Sequence, residues 1–320
     1  MALLEIKQLK KYFSTPHGML HAVDDVTMSI ERGKTIGIVG ESGCGKSTLG
    51  KTLIRMEDAT EGEIWFDDKE ITGMSQHEFK NMRMKMQMIF QDPYASLDPR
   101  MSIFQLIAEP VQTYKLANGK KELEDKVYAL MDEVGLAKRL ANSYPHELDG
   151  GRRQRIGIAR ALSLDPEFIV CDEPVSALDV SIQAQILNLL MDLQERKNLT
   201  YMFITHDMSV VKHISDDIAV MYLGQVVEKA DYQELFQKPL HPYSQALFSA
   251  IPVPSLHNRR ERIVLKGEIT SPVNPKPCCR FAARCPYAVD LCRQTEPELR
   301  DMGNNHFVKC HRVEEINNET

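Results

Sequence analysis

The sequence predicts an α/β fold with a largely parallel core sheet. Three observations carry this. Short apolar runs rich in β-branched residues alternate with stretches of helical spacing. One such run, TIGIVG at 35–40, empties into a glycine turn and then a helix-like stretch. Two more, FIVCDEP at 168–174 and YMFITHD at 201–207, end in acidic residues.

Taken in order, 3–9 (LLEIKQL) and 22–30 (AVDDVTMSI) read as strands with polar interruptions. STLGKTLIRM after the glycine turn reads as a helix, and GEIWFDDKEI at 62–71 as strand-like. From about 95 to 165 the spacing is helical, in IFQLIAEPVQTY and KKELEDKVYALMDEVGL, so about 92–165 is expected to form a helical subdomain inserted between core strands. SIQAQILNLLMDLQERKN predicts a helix between the two acid-tipped strands. After about residue 250 prolines become frequent (IPVP, SPVNPKP) and cysteines cluster. The boundary is therefore placed to give domains 1–252 and 253–320.

Composition excludes several classes. The 320 residues allow one large domain and a smaller one, with the 43% apolar and 26% charged content of a soluble globular chain. A net charge of −6 argues against bulk nucleic-acid binding. No apolar run reaches the roughly 18 residues that span a bilayer. The opening MALLEIKQLKKYF lacks the pattern of a secretion signal. A membrane role would thus come through a partner. Cys278, Cys279, Cys285, Cys292 and Cys310 crowd the C-terminal region, which in a reducing compartment suggests a metal site before disulfides.

GESGCGKS, from Gly40 through Glu41, Ser42, Gly43, Cys44, Gly45 and Lys46 to Ser47, fits G-x-x-x-x-G-K-[ST] and is closed by Thr48. Glycines let backbone amides wrap phosphates, the helix N-terminus adds partial positive charge, Lys46 reaches the terminal phosphates, and the Ser47 hydroxyl suits Mg²⁺. A plain glycine turn is the competing explanation, and the strand–loop–helix context argues against it. Asp172 and Glu173 end the next acid-tipped strand. Asp172 is placed to hold the Mg²⁺ shell, and Glu173 to orient water or accept its proton. The alternative is that the two acids merely cap the following helix.

With these motifs in this order, about residues 3–250 resemble an ATP-binding cassette (ABC) ATPase. The resemblance implies an ABC-type P-loop core with a helical subdomain, here followed by a small Cys-rich C-terminal module. It implies that Gln91 in IFQDP touches Mg²⁺ and links nucleotide to the transmembrane partner, that Glu173 is the catalytic carboxylate, that His206 in FITHD is the switch histidine and that Asp179 lies in the D-loop. In KKYF it favours Phe13 over Tyr12 for stacking on adenine, with a packing aromatic as the alternative. ELDGGRRQRIGIARAL occupies the signature position. In this family two cassettes pair head to tail, each ATP lying between one phosphate loop and the other chain's signature; ATP closes the pair and hydrolysis reopens it.

QDPYASLDPR, KPLHPYSQALFSAIP at 238–252 and RCPYAVDLC are similar to the peptide/nickel importer ATPases. This implies an ATP-binding and hydrolysing subunit, peripheral on the cytoplasmic face of the cell membrane, that powers oligopeptide or dipeptide import. The implied partners are two integral-membrane permease subunits, a second non-identical ABC ATPase and an external substrate-binding protein, with no nucleic acid. Import of nickel or another small solute is the alternative. An ABC ATPase acting on nucleic acid or ribosomes usually has two cassettes, or a long coiled coil between its nucleotide motifs, and this chain has one cassette. A nonhydrolytic adaptor is disfavoured by the intact Lys46, Asp172, Glu173 and His206.

Cys279, Cys285, Cys292 and Cys310 offer four thiolates for an iron–sulfur cluster or Zn²⁺. Their spacing lacks the C-x2-C pairs of a zinc ribbon. Members of the resembling subfamily can carry a four-iron cluster on such a module, so that reading is preferred, with zinc and unligated thiols as alternatives and Cys278 as the spare. Cys44 and Cys171 read as packed small residues.

One feature departs from the family. Where Ser-Gly-Gly-Gln is usual, this chain has Asp149-Gly150-Gly151-Arg152. A carboxylate about 4 Å from a phosphate oxygen repels it by roughly 4 kcal/mol at an effective dielectric near 20. Asp is also a strong helix N-cap and can take the anion's place on the helix amides, while Arg152 offsets part of the charge. The expectation is an asymmetric transporter in which the site completed by Asp149 binds nucleotide but turns over poorly. In the alternative, Asp149 turns to the helix amides and both sites work.

Overall fold

The chain opens on a long antiparallel hairpin, β1 (Ala2–Thr15) and β2 (Gly18–Glu31), whose alternating buried positions set one face against the interior. The fully buried β3 (Thr35–Val39) leads through the glycine loop into α1 (Lys46–Leu53). Then come β4 (Glu61–Phe66), β5 (Lys69–Glu70), α2 (Gln76–Lys85) and β6 (Met86–Ile89). Helices α3 (Ile103–Thr113), α4 (Lys120–Glu133) and α5 (Gly150–Leu162) follow. Strand β7 (Phe168–Asp172), α6 (Val180–Lys197), β8 (Thr200–Ile204) and α7 (Met208–Ile214) restore the α/β alternation. Next are β9 (Asp217–Tyr222), β10 (Gln225–Asp231), α8 (Tyr232–Gln237) and α9 (Pro242–Ser249). The C-terminal segment adds α10 (Asp290–Gln294), β11 (Arg300–Asp301), β12 (Phe307–Val308) and α11 (Val313–Asn318). This is a computed structural model, and it describes residues 1–92, 94–251, 263–267 and 271–318.

Two compact units emerge. The first takes residues 1–31, 35–72 and the described part of 203–320. It holds a four-stranded antiparallel sheet in the order β2-β1-β4-β5, and strands in the order β11-β12-β10-β9-β3. β3 runs parallel to β9, while β10 and β12 are antiparallel additions. The cysteine-bearing segment therefore extends the sheet of this unit through the pairing of Glu228 with Val308. The boundary expected at 252/253 lies outside the described residues. At the centre of the unit Tyr222, Tyr243 and Phe281 pack with ring centroids 4.7 to 5.5 Å apart, tilted or edge-on, contacts worth about 0.5–1.5 kcal/mol each beyond area burial.

The second unit takes residues 32–34 and 73–202. Its β6 and β7 are parallel, Met86 facing Phe168 and Ile89 facing Cys171. Every residue of β7 is buried, the signature of a parallel strand covered on both faces. Helix α3 starts on a capping box between Ser102 and Gln105, and it buries Ile103, Leu106, Ile107, Ala108 and Val111. Pro110 is tolerated near its C-terminal end.

The segment 62–71 departs from a single strand. Asp67 and Asp68 take φ of +50° and +60°, the geometry of a tight turn, and split it into β4 and β5. The first two strands also run further than their apolar cores, because residues on both sides of the turn at 16–17 stay paired.

Candidate functional site

The glycine loop lies in the first unit. Gly40, Gly43 and Gly45 adopt φ of +150°, +76° and +105°. A Cβ on Gly40 would lie 2.2 Å from the Met221 carbonyl oxygen, and one on Gly45 2.0 Å from that of Ala22. Backbone packed this closely leaves room for glycine alone. The N-terminus of α1 is capped by Gly45, which makes no side-chain hydrogen bond, the kind of helix start that suits an anion. Lys46 is buried, and its Nζ donates to the carbonyls of Gly40 at 2.8 Å and Glu41 at 2.9 Å. The Cys44 thiol is buried 3.7 Å from that ammonium, and burial pushes its pKa up. Ser47 and Thr48 open the helix, half-buried. His206 is exposed just after β8, and the neighbouring Asp207 caps α7 by accepting from the Ser209 N–H at 2.8 Å.

On the hairpin of the same unit, Tyr12 and Phe13 are both half-buried. Tyr12 stacks on His21 with centroids 3.8 Å apart, and its hydroxyl donates to Asp24. Burial and that hydrogen bond push the Tyr12 pKa upward. Phe13 carries the Lys11 ammonium over its ring at 4.7 Å.

The second unit carries Gln91, the signature and the acid pair. Asp172 is buried at the tip of β7, and Glu173 beside it takes a φ of +45°, a conformation unusual for a residue with a side chain. Gln91 Nε2 donates to Glu173 Oε2 at 2.8 Å. Neither acid caps the next helix: Asp179 does, accepting from the Ile182 N–H at 3.0 Å. The capping explanation for Asp172 and Glu173 therefore fails.

Asp149 is the N-cap of α5. Its Oδ1 accepts from the Arg152 N–H at 2.8 Å, and its Oδ2 lies 3.3 Å from the Arg152 guanidinium. A Cβ on Gly151 would strike Ile182 Cγ2 at 2.6 Å, so the second signature glycine is required by packing against α6. Gly150 is looser, its added Cβ meeting Leu178 at 3.0 Å.

Cys279, Cys285, Cys292 and Cys310 line one cavity, and Cys278 does not. Cys171 is wholly buried in β7. The cavity holds only about 10 Å³, the scale of a single water molecule. Among the described residues no group of three or more His, Cys, Asp or Glu side chains is placed to hold a metal ion. The expected tetrathiolate centre is thus assembled in composition but not drawn to ligating distance. Burial pushes the Cys279 thiol up to about 12, the Cys310 thiol up to about 11, and raises that of Cys285. Ligation would have to displace those protons.

Several partners of the site were not apparent in the sequence. Arg284 pairs with Glu41 of the phosphate loop, Arg280 with Asp24, and the Tyr243 hydroxyl accepts from the Glu41 N–H at 3.0 Å. HPYSQALF, within which Tyr243 lies, and RCPYAVDLC, which opens on Arg284, stand out in the sequence, but no sequence signal ties either to the loop.

The profile of the family described as ABC transporter matches residues 23–176, and that described as oligopeptide/dipeptide transporter, C-terminal region, matches 227–292. The oligopeptide transport ATP-binding protein AppF of Bacillus subtilis (strain 168) is 51% identical, with 97% of each chain covered. The oligopeptide transport ATP-binding protein OppF of Salmonella typhimurium is 49% identical over 98% of this chain and 94% of its own length. Among solved structures, a dimeric ATP-binding cassette in a post-hydrolysis state bound to ADP and Pi superposes with a TM-score of 0.66. It is 28% identical, over 72% of this chain and 98% of that one. The cbiO1 protein of Clostridium perfringens, part of an ABC transporter complex, gives a TM-score of 0.66 at 27% identity, over 74% and 91% of the two chains. Among the described residues, no helix is long and apolar enough to cross a membrane.

Proposed function

The chain belongs to the oligopeptide transport ATP-binding proteins of the ABC transporter family, and from that premise we propose that it is the catalytically dominant member of an unequal pair of ATPases. Its activity is ATP hydrolysis coupled to peptide import. End-to-end identity of about half to oligopeptide transport ATP-binding proteins is the observation that carries this. The partners in this reading are two permease subunits, a second, non-identical ATPase and an external binding protein, with the chain peripheral on the cytoplasmic membrane face.

In this reading the loop from Gly40 to Thr48 binds the ATP phosphates, with Lys46 neutralising the terminal ones. Phe13 stacks on adenine. Ser47, Asp172 and Gln91 would hold Mg²⁺, which when bound supplies charge neutralisation at the phosphates. Glu173 takes the proton of the attacking water, and His206 lies against the terminal phosphate. The glycine loop and the Gln91–Glu173 hydrogen bond at 2.8 Å support these roles. The test is uptake of labelled peptide, with Ni²⁺ as competitor, by the chain assembled with its permeases. Nickel uptake without peptide uptake would overturn the cargo.

The asymmetry rests on the charge that Asp149 brings to the signature position. Its carboxylate caps α5 by accepting from the Arg152 N–H, a geometry that the alternative with two working sites shares, so turnover decides between them. Replacing Asp149 with Ser should raise turnover at that second site, detected as higher ATPase activity of the assembled transporter. Unchanged ATPase and transport would remove the asymmetry.

Cys279, Cys285, Cys292 and Cys310 are proposed to hold a four-iron cluster, with zinc as the alternative. Four thiols converging on one cavity support a soft metal. Anaerobically purified protein should contain iron and sulfide, lost together in Cys292→Ser. One zinc per chain without either would replace the cluster by zinc.

A further inference from the structure

The turn between two of the clustered cysteines supplies two arginines that reach the hairpin and the phosphate loop. Cys279 and Cys285 bracket residues 280–284. The side chains of Arg280 and Arg284 are only 5% and 9% exposed, which sets them apart from surface ion pairs. Arg280 donates to the Asp24 carboxylate and to the Leu223 carbonyl. Asp24 also accepts from the Tyr12 hydroxyl, and it lies 3.0 Å from the His21 ring that stacks on Tyr12.

Arg284 makes a fork. Its Nη1 and Nη2 donate at 2.8 and 3.0 Å to the two carboxylate oxygens of Glu41. The guanidinium sits over the Tyr222 ring at 5.8 Å. Glu41 is the second residue of the phosphate loop, and its backbone N–H is held by the Tyr243 hydroxyl. The entry to the loop is thus clamped at side chain and backbone by residues far along the chain. The Nε atoms of Arg280 and Arg284 are buried without a hydrogen-bond partner. Compensation for each buried cation therefore comes through its η nitrogens, and removing the carboxylate would strand the charge.

We propose that Arg284, seconded by Arg280, is a positioning residue for nucleotide. It holds Glu41, and with it the phosphate loop, in the binding conformation, so the cysteine module sets the affinity of the cassette for ATP. This deepens the ATPase reading and rests on it. A bidentate pair on the loop restricts it before ATP arrives, which lowers the ordering cost of binding. Its effect falls on affinity and not on the chemical step.

The test is equilibrium titration of the full chain with ATP and Mg²⁺, alongside steady-state kinetics of the assembled transporter. Arg284→Ala should weaken ATP binding about tenfold and raise the KM for ATP similarly, with kcat within about twofold. Arg284→Lys keeps the charge but loses the fork and should fall between. The double variant Glu41→Gln with Arg284→Met should bind no worse than the weaker single variant, because the two residues act as one unit. A purely structural arginine would lower the melting temperature and leave ATP affinity unchanged. Wild-type affinity in Arg284→Ala, or losses that add in the double variant, would overturn the proposal. Should Arg284→Ala fail to fold, Arg284→Lys and the double variant decide. A wild-type chain that binds no ATP would overturn the nucleotide reading itself, and this inference with it.

Discussion

Glu173→Gln should lower the ATPase rate of the assembled transporter by about 10²–10⁴, the range for losing a general base, while ATP binding persists. The amide keeps the shape of the carboxylate, and its oxygen can still accept from Gln91 Nε2, which donates to Glu173 at 2.8 Å in the native chain. What is lost is the capacity to take a proton. The left-handed φ of +45° fixes where the side chain leaves the strand tip, so a neighbouring acid cannot simply take its place. The size of the effect also discriminates between the two arrangements of the pair. If the site completed by Asp149 is slow, this chain's own phosphate loop and Glu173 form the productive site, and Glu173→Gln abolishes nearly all turnover. If both sites work, the partner's site carries a residual of about half, far above that range. ATPase assay together with labelled peptide uptake reads both outcomes. Full wild-type ATPase activity and peptide uptake in Glu173→Gln would remove Glu173 from the role of base.

The loop from Gly40 to Ser47 was legible because its chemistry forces its residue types: only glycine tolerates 2.0–2.2 Å approaches to carbonyl oxygens, and the spacing to Lys46 is fixed by the turn. β7 and β8 were legible because buried parallel strands are continuously apolar. Other parts were hidden for physical reasons. Glu41 and Arg284 are 243 positions apart, and neither differs in sequence from a solvated charge. β10 was not recognised because its Gln225 and Glu228 look exposed, yet both are buried. The cysteines were legible as a cluster, and they do share a cavity. Distances between their sulfurs are not written in spacing. Asp149 was legible as an anomaly and as a cap, and α5 uses it as a cap.

Glu228→Ala should cost the first unit about 3–5 kcal/mol, the scale for breaking a buried charge pair. Glu228 is fully buried on β10. It accepts from the Leu240 N–H at 2.6 Å and the His241 N–H at 3.0 Å, and it meets His306 Nε2 at 2.7 Å. His306 Nδ1 reaches Glu234 at 3.3 Å, so one imidazole is gripped by two carboxylates. Burial alone would lower the His306 pKa, but hydrogen bonding and attraction to Glu228 outweigh it and raise the value. The folded pKa lies above the unfolded one, near 6.5. Its stabilisation is therefore complete below about pH 6.5 and is lost as pH rises through the folded value. His241 behaves oppositely. Burial pushes it down to about 4, against the pull of Glu228. Its Nδ1 accepts from the Tyr243 N–H at 3.1 Å as the cap of α9, a role protonation ends. Here stability is present above about pH 6.5 and falls as pH drops toward 4, by roughly 3 kcal/mol at 1.36 kcal/mol per pH unit. The two histidines together place the stability maximum near pH 6.5. Urea denaturation at pH 5, 6.5 and 8 should show it. His306→Gln should flatten the alkaline side alone. His241→Asn, which can still cap a helix, should flatten the acidic side alone. If either replacement leaves its slope intact, the pH response belongs to other groups.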